Sequence, residues 1–415
     1  MRVAAGRVSA PLVVVLLAAA SMAAPGAASA AFDPAPGARA AVLVEQSTGQ
    51  RLFARAADQS LPVASATKLM TALVTLEHVH RLATVFTQNL FYPAAVDSQI
   101  GLVPGERMSV HDLLLALMLP SADDAAEDLA DNVGHGSVGG FVAMMNARAR
   151  QLGLTHTHYS TPIGLDTAGN FSSAGDLVRL AIFLRAHSPF FKRIVALPRA
   201  VLHTGNQVRV VLNRNGLVAR FPWISGVKTG HTLGAGYVLV ASATRGSMTL
   251  LSAVLGTDSE TARDDSTLAL LGYGFRHFRL ARPVTAGVVL AQPTAQDRPG
   301  VRAKLVAAAG FSRVISDSDR VSLQVRAPAT LAGPLARRSA HGYVQILVDG
   351  RPVGRVALLL AQPLAAVSPL AIAARFLLHG STLVGLLALC GVGAVLAGVW
   401  RRRWRERQQA GPVQA

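Results

Sequence analysis

Lysine is nearly missing from this chain. Of its 40 basic residues only Lys68, Lys192, Lys228 and Lys304 are lysines, and the rest are arginines. A guanidinium stays protonated under any condition a protein meets, whereas an amine can lose its proton when desolvated or set beside another cation. A lysine kept among so many arginines is therefore a candidate for proton chemistry, and Lys68, in "VASATKLMTALV", is the first. Cysteine is scarcer still. The single Cys390 excludes an intramolecular disulfide. Acidic residues are also outnumbered, 23 against 40, leaving a formal charge of +17. That balance suits an anionic neighbour such as nucleic acid, a lipid surface or an acidic polymer, and equally a solvated arginine-rich surface.

The ends of the chain choose among these neighbours. Residues 1–30 carry Arg2 and Arg7, an apolar run from Leu12 to Ala24, and a small-residue Ala28-Ser29-Ala30 site. This is the order of a secretory signal peptide. Ser381–Trp400 is twenty residues without a charge, long enough to cross a bilayer as a helix. The arginine-rich Arg401–Arg407 follows, and the positive-inside rule places the 401–415 tail in the cytoplasm and the body outside. Export leaves anionic lipid or cell-wall polymer as the partner, with no nucleic acid.

Between the ends the pattern changes once. Residues 31–281 alternate strand-like and helix-like segments. Ala40–Glu45 and Arg51–Ala54 read as a hairpin across Ser47-Thr48-Gly49, and "ATKLMTALVTLEHV" and "MSVHDLLLALML" as buried helices. "FSSAGDLVRLAIFLRAH" is an amphipathic helix capped by Ser172 or Ser173. "GYVLVASAT" and "MTLLSAVLG" form a strand pair. Residues 282–366 hold short strands punctuated by Gly and Pro, with Asp349-Gly350 as a hairpin turn. Residues 367–380 then link this small all-β domain to the apolar segment.

Three short motifs carry the chemistry. In Ser65-Ala66-Thr67-Lys68 the serine and lysine are three apart and share a helix face. An amine held neutral by burial can take the hydroxyl proton and make Ser65 nucleophilic. In "MLPSADDAAEDLA", Ser121 opens a helix, and with Asp123 and Asp124 in the first turn it also reads as an ordinary cap. In "SGVKTGHTLGAGYVLV", Lys228 and Thr229 stand where a strand begins and can hold an anion, and Gly230 leaves room for a substrate backbone. Two of the four lysines fall within these motifs.

S-x-x-K, then a Ser-x-Asn variant, then K-T-G is the ordered signature of penicillin-interacting serine enzymes. With "GERMSVHDLLLALMLPSADDAAEDLA" and "STPIGLDTAGNFSSAGDLVRLA", the chain resembles the serine-type D-alanyl-D-alanine carboxypeptidases over roughly residues 38–365. These are the low-molecular-mass penicillin-binding proteins of the peptidase S11 family. The resemblance implies an α+β fold: a β-lactamase/penicillin-binding-protein-like transpeptidase domain, with an antiparallel sheet and a helical cluster. A small all-β domain and a C-terminal transmembrane helix would follow. It implies Ser65 as acyl-enzyme nucleophile, Lys68 as general base and Ser121 as proton relay to the leaving D-alanine. Lys228 and Thr229 would bind the terminal carboxylate, with Gly230 and Asp123 completing the substrate-binding set. The backbone N–H groups of Ser65 and His231 would form the oxyanion hole. Stem peptides ending in D-Ala-D-Ala are the implied substrate, β-lactams the covalent inhibitors, and no cofactor or metal is implied.

Asp123 departs from the family, which has Asn there. Asn donates and accepts, ionised Asp only accepts, and a carboxylate near Lys68 favours the ammonium, the wrong form for a base. The sequence reading is that activity persists; the rival is an inactive protein that binds wall peptides. A class A β-lactamase needs a deacylating glutamate between the second motif and K-T-G, and none occurs from Glu127 to Glu260. Endopeptidase action would use the same residues. The pairs His78-Val79-His80 and His156-Thr157-His158 lack a third metal ligand, and "NRNG", Asn213–Gly216, reads as a loop.

Overall fold

A computed structural model of the chain describes residues 33–89, 98–296, 298, 300–370, 373–374 and 380–409. The expected signal peptide lies outside the described residues, as does part of the 367–380 linker; within that linker, 369–370 and 373–374 are helical.

The N-terminal body is built on a five-stranded antiparallel sheet in the order β2-β1-β9-β8-β7. Its strands are β1 (Ala40–Glu45), β2 (Arg51–Arg55), β7 (Ile224–Thr232), β8 (Gly236–Arg245) and β9 (Met248–Thr257). β1 is buried along its whole length because its residues alternate between two apolar layers. Ala40, Val42 and Val44 face the helical cluster, whereas Ala41 and Leu43 face α8 (Glu260–His277) on the other side. The first layer contains α1 (Lys68–His78), α2 (Val110–Met118), α3 (Asp123–Val133), α4 (Val138–Gln151), α5 (Ala174–His187) and α6 (Pro189–Ile194). Ser173, not Ser172, caps α5, accepting from the Asp176 N–H at 3.1 Å.

Two small hairpins border the cluster. β3 (Val85–Thr87) pairs with β4 (Arg107–Ser109), and β5 (Arg199–Leu202) with β6 (Arg209–Leu212). A short turn of helix, α7 (Leu217–Arg220), leads into β7. The sequence pattern missed the β5–β6 hairpin, whose strands are only four residues each.

The expected boundary at 281/282 falls inside a strand, β10 (Phe278–Val284), which continues from α8 and pairs with β14 (Phe311–Ser316). Beyond it lie short β11 (Val289–Ala291), β12 (Thr294–Ala295) and β13 (Leu305–Ala307), then β15 (Val321–Arg326), β16 (Thr330–Leu331), β17 (Ala340–Val348) and β18 (Arg351–Leu360). Five of these form a second antiparallel sheet in the order β11-β13-β18-β17-β15. The Asp349-Gly350 turn closes β17 onto β18 with φ of 47° and 76°, so both central residues take the left-handed conformation that such turns require. The last helix, α9 (Gly380–Gln409), runs on through the arginines beyond the expected Trp400 end. Within it, Val384–Gln408 is long and apolar enough to cross a membrane.

Candidate active site

A cavity of about 530 Å³ opens between β7 and the helical cluster, lined by Ser65, Ser121, Asp123 and the β7 residues Thr229–Thr232, among others. Its walls are built from three segments that the sequence motifs occupy.

Ser65 does not begin the helix. It sits in a 3₁₀ turn, Ala64–Thr67, and Lys68 is the first residue of α1. The residue before it, Ala64, has φ of 47°, a conformation that costs a non-glycine residue roughly 1 kcal/mol or more. Packing holds it there. Gly164 approaches so closely that a Cβ would lie 2.0 Å from the Ala64 carbonyl oxygen, and at Gly230 a Cβ would lie 3.0 Å from the Ser65 nitrogen. Glycine at position 230 thus lets β7 lie against the Ser65 turn. β7 is an edge strand with β8 as its neighbour, so its other edge faces this turn and the cavity.

Lys68 is fully buried, at 0 % exposure. Its Nζ donates to Ser65 Oγ at 2.9 Å, to the Ile163 carbonyl at 2.8 Å and, as an ion pair, to Asp123 Oδ1. The serine–lysine spacing of the sequence is a real contact, and Asp123 engages the same amine.

Ser121 is not the cap of α3. That position belongs to Ala122, whose methyl side chain makes no capping bond, and α3 begins at Asp123. Ser121 instead adopts φ of 69°, is 2 % exposed, and its Oγ has no hydrogen-bond partner among the described residues. A buried hydroxyl left unpaired costs about 1–3 kcal/mol, so a strained serine lining a cavity is placed for something other than stability.

The third motif divides. Lys228-Thr229-Gly230 lies in the middle of β7 rather than at its start, and Thr229, Gly230 and His231 line the cavity. Lys228 does not. It is 1 % exposed, behind the wall, donating to the Thr229 carbonyl at 3.0 Å. Burial first, and then the Lys68 charge, push the Lys228 amine well below its ordinary pKa.

Several wall residues escaped the motif reading. Arg214, within the segment read as a plain loop, lines the cavity, as do Arg263 and Glu260. Arg263 is itself held by Glu260 and Asp264, each at 2.7 Å. Asp166 accepts from Thr232 Oγ1 at 2.7 Å and from the Gly234 N–H at 2.8 Å, fixing the turn after β7. The signal for these residues is weak because arginine is everywhere in this chain. On α3, one turn after Asp123, Glu127 is pushed up to about 7 by burial, with the Asp123 charge adding to it and Lys68 opposing it. Among the described residues no cluster of His, Cys, Asp and Glu is arranged to hold a metal ion.

Comparison with known proteins agrees with this architecture. The D-alanyl-D-alanine carboxypeptidase family, peptidase S11, matches residues 27–259. D-alanyl-D-alanine carboxypeptidase DacC of Escherichia coli is 36% identical over 266 residues, covering 60% of this chain and 64% of that protein. DacA of Escherichia coli is 31% identical over 341 residues, covering 77% of this chain and 82% of that protein. Among solved structures, penicillin binding protein 5 from Haemophilus influenzae superposes with a TM-score of 0.65 at 28% identity, covering 79% of this chain and 98% of that one. With the family model matching more than half of the chain, the chain belongs to the peptidase S11 family of D-alanyl-D-alanine carboxypeptidases.

Proposed function

We propose that this protein is a membrane-anchored serine D-alanyl-D-alanine carboxypeptidase that removes the terminal D-alanine from peptidoglycan stem peptides. The observation that carries the reading is the buried Lys68 amine, 2.9 Å from Ser65 Oγ at the wall of the cavity. Lys68 in its neutral form takes the Ser65 proton as Oγ attacks the carbonyl carbon of the penultimate D-alanine. The tetrahedral oxyanion is met by the N–H groups of Ser65 and His231, a contribution of about 3 kcal/mol per donor. The C–N bond then breaks, and Ser121 passes a proton to the departing D-alanine nitrogen. Water attacks the resulting ester, and Ser65 recovers its proton.

The edge of β7 supports an extended substrate backbone across Thr229–Thr232, the geometry of strand addition. Its terminal carboxylate would meet Thr229 directly and Lys228 only through the wall, so a cation lining the cavity is needed beside them. β-lactams, as acylating mimics of the D-alanyl pair, would trap Ser65. α9 would anchor the body, with the arginines of residues 401–407 on the cytoplasmic side and the catalytic body on the outer face.

The test is intact-mass analysis of the full chain in detergent after incubation with benzylpenicillin. D-alanine release from a peptide ending in D-Ala-D-Ala is followed in parallel. The expected result is a stoichiometric adduct, lost together with release in Ser65→Ala. Folded protein that forms no adduct and releases nothing would make this a wall-peptide-binding protein in which Asp123 has locked Lys68 as an ammonium.

A further inference from the structure

The pair His78-Val79-His80 has no part in the catalytic cavity. His78 is the last residue of α1, and His80 follows two residues on. A third histidine, His135, reaches the same place from the turn that ends α3. All three line a pocket of about 430 Å³ that shares no lining residue with the catalytic cavity. Because α1 begins at Lys68 and α3 at Asp123, the pocket lies at the far ends of the two helices that carry the site. Ten residues of α1 put it roughly 15 Å from Lys68. The histidines do not form a group that could hold a metal ion. They surround a space of the size that takes a small molecule.

Half-buried Val79 and Phe86, with buried Val133, give the pocket an apolar surface. The polar groups around it are of two kinds. Arg81 is exposed, offers only donors, and makes no side-chain hydrogen bond or ion pair among the described residues. No carboxylate among those residues lines the pocket. The acids nearest in sequence are engaged elsewhere. Glu77 pairs with Arg148 at 2.7 Å, Asp128 accepts from Asn132 Nδ2 at 2.9 Å, and Asp131 accepts from Asn89 at 3.0 Å. The second kind of group accepts. His78 Nδ1 donates to the Val74 carbonyl at 2.8 Å, so the neutral ring keeps Nε2 as an acceptor. Asn132 Nδ2 also donates to the Thr87 and Asp128 carbonyls, at 3.2 and 2.9 Å, which leaves Oδ1 of that side chain to accept.

We infer that this pocket is a second binding site, for an acidic sugar. A sugar ring has an apolar C–H face and a rim of hydroxyl groups. The C–H face packs on Phe86 and Val79, and hydroxyl groups donate to His78 Nε2 and Asn132 Oδ1. Arg81 takes the acid group, carboxylate or phosphate, through charge-assisted hydrogen bonds. An aliphatic anion would leave both acceptors unpaired, and a neutral sugar would leave the guanidinium without a counter-charge. A free sugar acid and the acidic unit of a polysaccharide carry the same chemistry. The site stands apart from the catalytic reading and goes beyond it: the body would hold a saccharide at one end of α1 and α3 while the other end works on a peptide.

Saturation-transfer NMR on the full chain in detergent tests this, giving dissociation constants for D-glucuronate, D-glucose 6-phosphate, D-glucose and acetate. The better of the two acidic sugars is expected to bind about tenfold more tightly than glucose or acetate. Arg81→Gln should bring its ratio to glucose down to about one, whereas Arg81→Lys, which keeps the charge, should preserve much of the preference. His78→Phe should weaken glucose and the acidic sugar alike. A hyaluronan tetrasaccharide separates the two sources: binding tighter than glucuronate identifies a polysaccharide unit, and weaker binding a free sugar acid. No sugar binding, acetate as tight as the acidic sugars, or a preference that survives Arg81→Gln overturns the inference. Melting temperatures of the three variants confirm that each is folded. Benzylpenicillin acylation is recorded separately, and its absence would defeat the catalytic reading while leaving the sugar site standing.

Discussion

The catalytic body and the C-terminal β domain solve burial in opposite ways. The body closes over Lys68, Asp123, Asp124, Asp128, Lys228 and Arg263, all buried, whereas every buried residue described between Val284 and Leu364 is apolar. Burying a charge is costly unless it is paired and hydrogen-bonded, and among the described residues the body alone bears that cost. The contrast separates the part of the chain that holds the candidate site from a part held together by apolar packing. It also states where substitutions should be felt as lost activity and where as lost stability.

The sharpest test of that contrast lies at Lys68. Lys68→Arg keeps the positive charge and removes the ability to give up a proton, so acylation by benzylpenicillin should slow by about 10³-fold or more while the protein remains folded. Acylation at near-parental rate would show that charge alone is needed. Asp123→Asn should act in the other direction. It removes the carboxylate that holds the proton on Lys68, so the acylation rate at neutral pH should rise by up to about tenfold and its acid limb move to lower pH. Stopped-flow acylation across pH measures both effects. A parent that cannot be acylated, beside a readily acylated Asp123→Asn, would mean that Asp123 disables the site.

Stability should follow the same division. Glu127 and Asp128 are each pushed up to about 7, by burial first and then by neighbouring carboxylates. Their folded-state values lie above the unfolded ones, so the stability they contribute is present below about pH 4 and is lost as pH rises toward 7. Denaturant unfolding should therefore find the body weaker at pH 8 than at pH 5 by on the order of 2 kcal/mol, a slope that Glu127→Gln with Asp128→Asn flattens. If the slope persists in the double variant, other groups set it. The smallest effect belongs to the β domain. Gly350→Ala places a side chain at φ of 76° and should cost about 1 kcal/mol, with no change in acylation rate. A slowed acylation would show that the β domain reaches the site.

Much of the site was legible because its chemistry depends on sequence-local spacing. Ser65 and Lys68 are one turn apart, and three residues bring their side chains together whether that turn is 3₁₀ or α. The β1–β2 and β17–β18 hairpins were legible for a similar reason, since Gly49 and Asp349-Gly350 determine their turns. What was not legible is long-range. Lys228 belongs to the third motif, yet which way its side chain turns depends on how β7 packs against the Ser65 turn, and it turns behind the wall. Ser121 looked like a cap because Ser before two aspartates normally is one. The contact between α3 and the 98–102 segment, through Asp124, shifts the helix start and leaves the hydroxyl to the cavity. Arg214 was hidden by the very abundance of arginine that made lysine conspicuous.

Ser121 carries a consequence for how the protein responds to its ligand. A buried hydroxyl that meets no partner among the described residues makes the substrate a structural component as well as a reactant. Occupancy would satisfy the hydroxyl and couple the helical cluster to β7 through the bound peptide. A covalent inhibitor that fills the same place would therefore raise the melting temperature as well as stop turnover.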